Sequence, residues 1–103
     1  MSRDERNWGL GSEGRERLGA NVAVRRLRAG LTRRELAIRA AVTTHRLAQI
    51  EDGRQASSLD VWVRLAGTTG DSLDDLLAGV RWIPVPGDEV PGEGAYIVKR
   101  RSF

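Results

Sequence analysis

The sequence predicts an all-α fold of five short helices, followed by a short C-terminal β-hairpin or β-strand extension. Apolar residues recur at helical spacing between residues 15 and 79. Hydroxyl residues precede most of these apolar segments, and glycine closes several of them, as expected at helix starts and ends. After residue 80 the pattern changes to β-prone segments around a loop rich in glycine, proline and acidic residues.

The first three helices are predicted from apolar spacing and from their end signals. Helix one should span about 15–29, because Leu18, Val22, Leu27 and Leu31 recur at roughly helical spacing and Gly30 supplies a C-terminal stop. Helix two should span about 33–40, because Thr32 and Glu35 have the spacing of a capping box. Helix three should span about 44–52, after a second candidate cap at Thr43.

Two more helices and two strands are predicted downstream. Helix four should follow Ser57-Ser58 and fray early at Gly67-Thr68-Thr69, and helix five should follow Ser72 and end near Gly79. Short strands are expected over 81–85 and 95–99. The apolar side chains of helices four and five are expected in the core: Leu59, Trp62, Val63, Leu65, Leu73, Leu76 and Leu77.

A chain of 103 residues has the size of one domain. We expect a flexible N-terminal tail over 1–13, a helical domain over 14–79, and a C-terminal extension over 80–103 that is a candidate dimerisation segment. The absence of cysteine excludes disulfides and thiolate metal sites, and a single histidine cannot build a metal centre. We therefore expect no metal, no cofactor and no catalytic residues, so an enzyme is not predicted.

No apolar run approaches the roughly 18 residues needed to span a bilayer, and the first residues lack the apolar core of a secretory signal. The sequence therefore predicts a cytoplasmic protein with no membrane partner.

The charges of the chain are segregated. Residues 15–54 carry ten arginines against four acidic residues, a balance of +6, whereas residues 55–98 carry two arginines against seven acidic residues, a balance of −5. The first segment should attract a polyanion and the second should repel it. A well-solvated arginine-rich surface is the alternative explanation, since sixteen of the seventeen basic residues are arginine.

Helices two and three, joined by a short turn, form the arrangement that can place one helix in a major groove about 12 Å wide. The segment also resembles the Cro and lambda-repressor (Xre) helix-turn-helix family. The matching residues are Leu31-Thr32, Glu35-Leu36-Ala37, Val42-Thr43, Leu47 and Ile50-Glu51-Asp52-Gly53, and the similarity continues to Leu77. The resemblance implies a five-helix DNA-binding domain and a sequence-specific transcriptional regulator that binds double-stranded DNA.

The sequence departs from the family pattern at several positions. Arg33 replaces the usual glutamine after the helix-two cap, Ala41 replaces the turn glycine, and Ser57 replaces a proline that follows the motif. Ala41 leaves the turn without the residue that best tolerates a positive φ.

The resemblance also implies roles for individual residues. Thr44, His45, Ala48 and Gln49 would face the base edges, and the Gln49 amide has the chemistry to pair with adenine. The candidate contacts to the DNA backbone are Thr32, Arg33, Thr43, Arg46 and Arg54. Arg26 and Glu51 would form a buried ion pair that links helix one to the end of helix three.

A single recognition helix contacts too few base pairs to be selective, so we expect a homodimeric repressor on a palindromic operator. The candidate dimer contacts are apolar residues of the extension: Trp82, Ile83, Tyr96, Ile97 and Val98. Its strand could pair with the same strand of a second copy or fold back within the chain. An antitoxin-like or adaptor protein, using residues 95–103 to bind a protein partner, is the alternative function.

Overall fold

The computed structural model of the protein describes residues 9–84 and 94–99. These residues form five α-helices followed by a two-stranded antiparallel hairpin, which confirms the predicted fold class. The helices are α1 (Gly11–Arg28), α2 (Arg33–Arg39), α3 (Thr44–Glu51), α4 (Leu59–Thr69) and α5 (Leu73–Leu76), and the strands are β1 (Val80–Pro84) and β2 (Gly94–Val98). No helix in this part of the chain is both long and apolar enough to cross a membrane.

Helix α1 begins at Gly11, four residues before the predicted start. The prediction was wrong here because Gly11 and Gly14 have low helix propensity and follow no apolar period. The additional turn is supported by Leu10, which precedes the helix and packs against the core. The predicted tail therefore includes the start of α1, and residues 1–8 lie outside the described residues.

Side-chain caps define the starts of the short helices. The Thr32 hydroxyl accepts from the Glu35 backbone N–H at 3.1 Å, and the Glu35 carboxylate accepts from the Thr32 N–H at 3.0 Å, which confirms the predicted capping box of α2. The Thr43 hydroxyl accepts from the Arg46 N–H at 3.0 Å at the start of α3. These caps satisfy N–H groups that have no partner within the helix, so α2 and α3 begin at fixed residues.

Helix α4 continues to Thr69, so the predicted early end at Gly67 is wrong. The hydroxyls of Thr68 and Thr69 donate to the carbonyls of Arg64 and Leu65, four residues earlier, and keep these side chains compatible with the helix. The helix ends at Gly70, which adopts a left-handed conformation with φ of +80°.

The helices enclose one core of thirteen buried apolar residues among those described: Leu18, Val22, Leu31, Leu36, Ala37, Ala40, Leu47, Ile50, Val61, Trp62, Leu65, Ala66 and Leu76. Four residues that were predicted on buried faces are instead exposed, namely Leu27, Leu59, Val63 and Leu77. On α4 the buried face is formed by Val61, Trp62, Leu65 and Ala66. This face leaves Leu59 and Val63 toward solvent, although both share the apolar spacing.

Both strands begin one residue before their predicted starts, and they pair within the chain from Val80 opposite Val98 to Pro84 opposite Gly94. The first strand therefore pairs with the second strand of its own chain. Because opposite residues share a face, Val80, Trp82, Tyr96 and Val98 lie together, and Val80 packs against the core. Ile83 and Ile97 lie on the other face.

Candidate nucleic-acid interface

Helix α3 has one buried face and one accessible face. Leu47 and Ile50 are fully buried, and Val42 in the preceding turn packs against the same core. Thr44 and His45 are exposed, and the four candidate base-contacting residues are completed by Ala48 and Gln49, which are half-buried. The buried face fixes the helix to the domain and leaves the N-terminal half of its opposite face accessible to a large ligand.

The turn between α2 and α3 is held by backbone hydrogen bonds and by one left-handed residue. Ala41 has a φ of +57° and is the only residue other than glycine with a positive φ in the described ranges 9–84 and 94–99. The Val42 N–H donates to the Ala37 carbonyl at 3.0 Å across this turn. Four residues, 40–43, therefore connect α2 to α3 despite the strain on a side chain with a Cβ atom.

Arg26 of α1 and Glu51 at the end of α3 form a two-point ion pair. Arg26 Nε donates to Glu51 Oε2 at 2.8 Å, and Arg26 Nη2 donates to Oε1 at 3.0 Å. The Glu51 side chain is only 1% exposed. A buried carboxylate needs such partners, so the pair sets how α3 lies against α1.

Arg33, the first residue of α2, joins this pair. Its Nε donates to Glu51 Oε1 at 3.1 Å, and its Nη2 donates to Asp52 Oδ1 at 3.1 Å. The hydrogen bond that Arg33 donates to Glu51 and the charges of both carboxylates raise the pKa of Arg33 above its ordinary value. The predicted phosphate contact of Arg33 would therefore have to use the two hydrogens of Nη1 or the second hydrogen of Nη2, or release one of the carboxylates.

A close approach between α1 and α3, which sequence reasoning missed, also positions α3. A Cβ atom at Gly19 would collide with the carbonyl oxygen of Ile50, so only glycine allows α1 to approach the end of α3 this closely. Gly53, which follows α3 with a φ of +75°, lies against Glu16 of α1. An isolated glycine within a helical pattern was the available signal.

The remaining candidates for backbone contact surround the accessible face of α3. The Thr32 and Thr43 hydroxyls each accept a capping bond, and each retains a hydrogen that can be donated to a phosphate oxygen. Arg54 is exposed just after α3, and Arg46 is exposed on α3 itself. Sequence reasoning did not single out Arg34 and Arg39, two exposed arginines of α2. Their charge adds to the positive surface around the motif.

The hairpin carries the five residues predicted as dimer contacts. Trp82 and Tyr96 face each other across the strands, with ring centroids 5.1 Å apart in an edge-to-face arrangement. Three of the five are substantially exposed: Trp82 at 40%, Ile83 at 41% and Ile97 at 51%. Tyr96 and Val98 are half-buried, so the exposed apolar area comes mainly from the other three residues.

The start of the hairpin is fixed to α1 by side chains. The buried Asn21 donates from Nδ2 to the carbonyls of Leu76 at 2.9 Å and Ala78 at 2.8 Å. Arg17 Nε donates to the Ala78 carbonyl at 3.3 Å. These bonds hold the link between α5 and β1, and the hairpin emerges from a defined point on the helical domain.

Comparison with known proteins matches this architecture. A family model described as a helix-turn-helix domain matches residues 17–80. No match was found among curated proteins.

Three solved structures illustrate the similarity. The clp gene regulator ClgR from Corynebacterium glutamicum is 35% identical with a TM-score of 0.59, and the match covers 61% of this chain and 67% of that protein. The competence regulator ComR from Streptococcus vestibularis is 30% identical with a TM-score of 0.57, and the match covers 61% of this chain but only 21% of ComR. The restriction-modification controller protein C.AhdI from Aeromonas hydrophila shares the fold, at 21% identity with a TM-score of 0.59, over 60% of this chain and 94% of that protein.

Proposed function

The chain belongs to the helix-turn-helix domain family and is a DNA-binding regulator of transcription, and we propose that it is a repressor that binds a palindromic operator as a homodimer. In this proposal α3 enters the major groove, and α2 lies across the DNA backbone. The observation that carries the proposal is the accessible face of α3, where Thr44 and His45 are exposed while Leu47 and Ile50 anchor the helix.

Base recognition would come from four side chains of α3. Thr44 and His45 lie in its first turn, the part of a recognition helix that contacts base edges. Gln49 offers a donor and an acceptor on one amide, which suits the N6 and N7 atoms of adenine. Ala48 can supply only an apolar contact, for example with a thymine methyl group.

Backbone contacts would come from hydroxyls and guanidinium groups around that helix. We propose Thr32, Thr43, Arg46 and Arg54 for this role. Arg33 would contribute through the N–H groups that do not bond to Glu51 and Asp52. The net charge of +6 over residues 15–54 supports the proposal. Basic side chains that neutralise phosphates release counterions from the DNA and so strengthen binding to any duplex. Phosphate contacts orient the protein, whereas base contacts select the site.

Dimerisation would come from the hairpin. The strands β1 and β2 leave the apolar side chains of Trp82, Ile83 and Ile97 exposed, and exposed apolar area of this kind is suited to a protein contact better than to DNA. A two-fold dimer would present two recognition helices to half-sites one helical turn apart, about 34–36 Å.

Selection of bound duplexes from a random pool tests this function. We expect the full chain to enrich an inverted repeat with half-sites about ten base pairs apart, and sedimentation of the complex to give two chains per duplex. A reporter gene placed behind the selected operator should lose expression when the protein is present. Enrichment of no sequence, together with a stable complex with a co-expressed protein, would instead favour the adaptor function.

A further inference from the structure

We infer that Ser57 is a positioning residue that orients the Arg46 guanidinium for a DNA phosphate, an inference that rests on the proposed function. Arg46 Nε donates to Ser57 Oγ at 2.9 Å, and this bond connects α3 to the segment before α4. Arg46 is exposed, and its own backbone N–H is held by the Thr43 cap at the start of α3. Both ends of this side chain are therefore constrained before any DNA is bound.

The Ser57 backbone is held by a core residue. The indole Nε1 of Trp62 donates to the Ser57 carbonyl at 3.1 Å, and Trp62 belongs to the buried core of the domain. The neighbouring Ser58 directly precedes α4, and its carbonyl accepts from the backbone N–H groups of Val61 and Trp62. A chain of contacts thus runs from the core through Ser57 to Arg46.

Arg46 makes the bond to Ser57 through Nε and not through its two outer nitrogens, Nη1 and Nη2. Nη1 and Nη2 form the planar fork that matches two oxygens of a phosphate, and fixing Nε fixes the plane of that fork. A free arginine on the surface loses side-chain entropy when it binds, so an arginine that is already oriented binds with a smaller loss. The expected gain is in affinity for every duplex, because phosphate contacts carry no sequence information.

Ser57 stands where the family pattern usually has proline, which has no hydroxyl to accept this bond. The inferred role therefore belongs to this chain's own sequence and does not follow from the family pattern. Ser58 provides a matched control, because its hydroxyl bonds to Asp60 and makes no capping bond to the α4 backbone.

The test measures binding of the full chain to its selected operator and to an unrelated duplex, over a range of salt concentrations. Ser57→Ala should weaken binding to both duplexes by about two- to tenfold, because the Arg46 side chain would then have to be ordered when the DNA binds. Ser57→Thr, which keeps a hydroxyl, should recover most of the affinity, and Ser58→Ala should bind like the parent. Arg46→Ala should weaken both duplexes and lower the salt slope by about one unit.

The double variant identifies the route by which Ser57 acts. In the Arg46→Ala background, Ser57→Ala should have no further effect on binding, because the residue that it orients is gone. A full additional loss in that background, or equal binding by Ser57→Ala and the parent, would overturn the inference while leaving the proposed function intact. Failure of the parent to bind any selected duplex would overturn both.

Discussion

The Arg33 guanidinium and the Glu51 carboxylate are joined by a 3.1 Å hydrogen bond from Nε to Oε1, and Arg26 donates to both oxygens of the same carboxylate. Glu51 therefore accepts three hydrogen bonds from two arginines, one on α1 and one on α2. Helices α1, α2 and α3 therefore meet at this carboxylate. Its two partners differ in exposure, because the Arg26 side chain is 13% exposed and the Arg33 side chain is 41% exposed.

Replacing these arginines should have unequal effects on stability. Arg26→Ala should lower the free energy of unfolding by about 3 kcal/mol, because it removes the more buried partner of a buried carboxylate. Arg33→Ala should lower it by about 1 kcal/mol or less, as expected for a partly exposed ion pair. Urea unfolding followed by tryptophan fluorescence measures both changes, and Arg34→Ala on the exposed face of α2 serves as the control. Equal losses for the two variants would contradict this division of roles.

The turn at Ala41 predicts a stabilising substitution. Ala41→Gly should raise the free energy of unfolding by about 0.5–1 kcal/mol, because the left-handed conformation costs alanine more than glycine, and the greater freedom of glycine in the unfolded chain offsets part of the gain. Ala29→Gly is the matched control, since Ala29 has an ordinary φ of −78° at the end of α1. That variant should lower the stability, and a loss for Ala41→Gly as well would contradict the prediction.

Local signals in the sequence predicted most of the helical frame. The Thr32 and Glu35 capping box fixed the start of α2 because both bonds lie within four residues. The start of α1 could not be predicted, because it depends on Leu10 packing against the assembled core. The exposure of Leu59 and Val63 likewise depends on which face of α4 the rest of the core covers, and spacing alone does not decide that.

The capping box also predicts a dependence of stability on pH. The Thr32 backbone N–H, and then the Thr32 hydroxyl interaction, hold the pKa of Glu35 below its ordinary value. A carboxyl with a lowered pKa in the folded state contributes stability above its unfolded pKa, and this contribution is lost as the pH falls through its folded pKa. Glu35→Ala should therefore be less stable than the parent at neutral pH, with a difference that shrinks below about pH 4.

Urea unfolding of both proteins at a series of pH values measures this difference. Glu35→Gln, which keeps an acceptor but no charge, should lie between the two at neutral pH. A difference between parent and Glu35→Ala that stays constant down to acidic pH would contradict the assignment.

The contacts of Asn21 predict that one buried amide holds the hairpin on the helices. Asn21→Ala should lower the free energy of unfolding by about 2–3 kcal/mol, because it removes the Asn21 donor from the Leu76 carbonyl, leaves the Ala78 carbonyl with only the longer bond from Arg17, and creates a small gap. Relative to the parent, amide hydrogen exchange in this variant should accelerate more in β1 and β2 than in α3. Arg17→Ala, which removes a longer and exposed bond to the same Ala78 carbonyl, should have a much smaller effect. Unchanged exchange in the strands of Asn21→Ala would show that other contacts hold them.

In the candidate site, the sequence predicted the accessible side of α3 but not the partners of its arginine side chains. The accessible side of α3 follows from the alternation of buried Leu47 and Ile50 with polar residues, which the sequence displays. The partners of the long arginine side chains were not predictable, because Arg33 and Arg46 reach residues 18 and 11 positions away in the chain. Only the folded arrangement decides which guanidinium groups are occupied by the protein's own acceptors.

The division between base and phosphate contacts gives the most direct test of the interface. Gln49→Ala should relax base preference at one position of the half-site, with a loss of discrimination of about 1–3 kcal/mol, because its amide would pair with one base. Arg54→Ala should weaken all duplexes alike and lower the slope of log affinity against log salt by about one unit, because it would remove one phosphate contact.

Binding of both variants to the selected operator and to its single-base variants, at several salt concentrations, separates the two effects. Arg28→Ala is the control for charge alone, since Arg28 is exposed at the end of α1 and outside the predicted contact set. It should change the slope less than Arg54→Ala does. If Gln49→Ala kept the full base preference of the parent, α3 would not read that base through this amide, and the selectivity would have to come from Thr44 and His45 in the first turn.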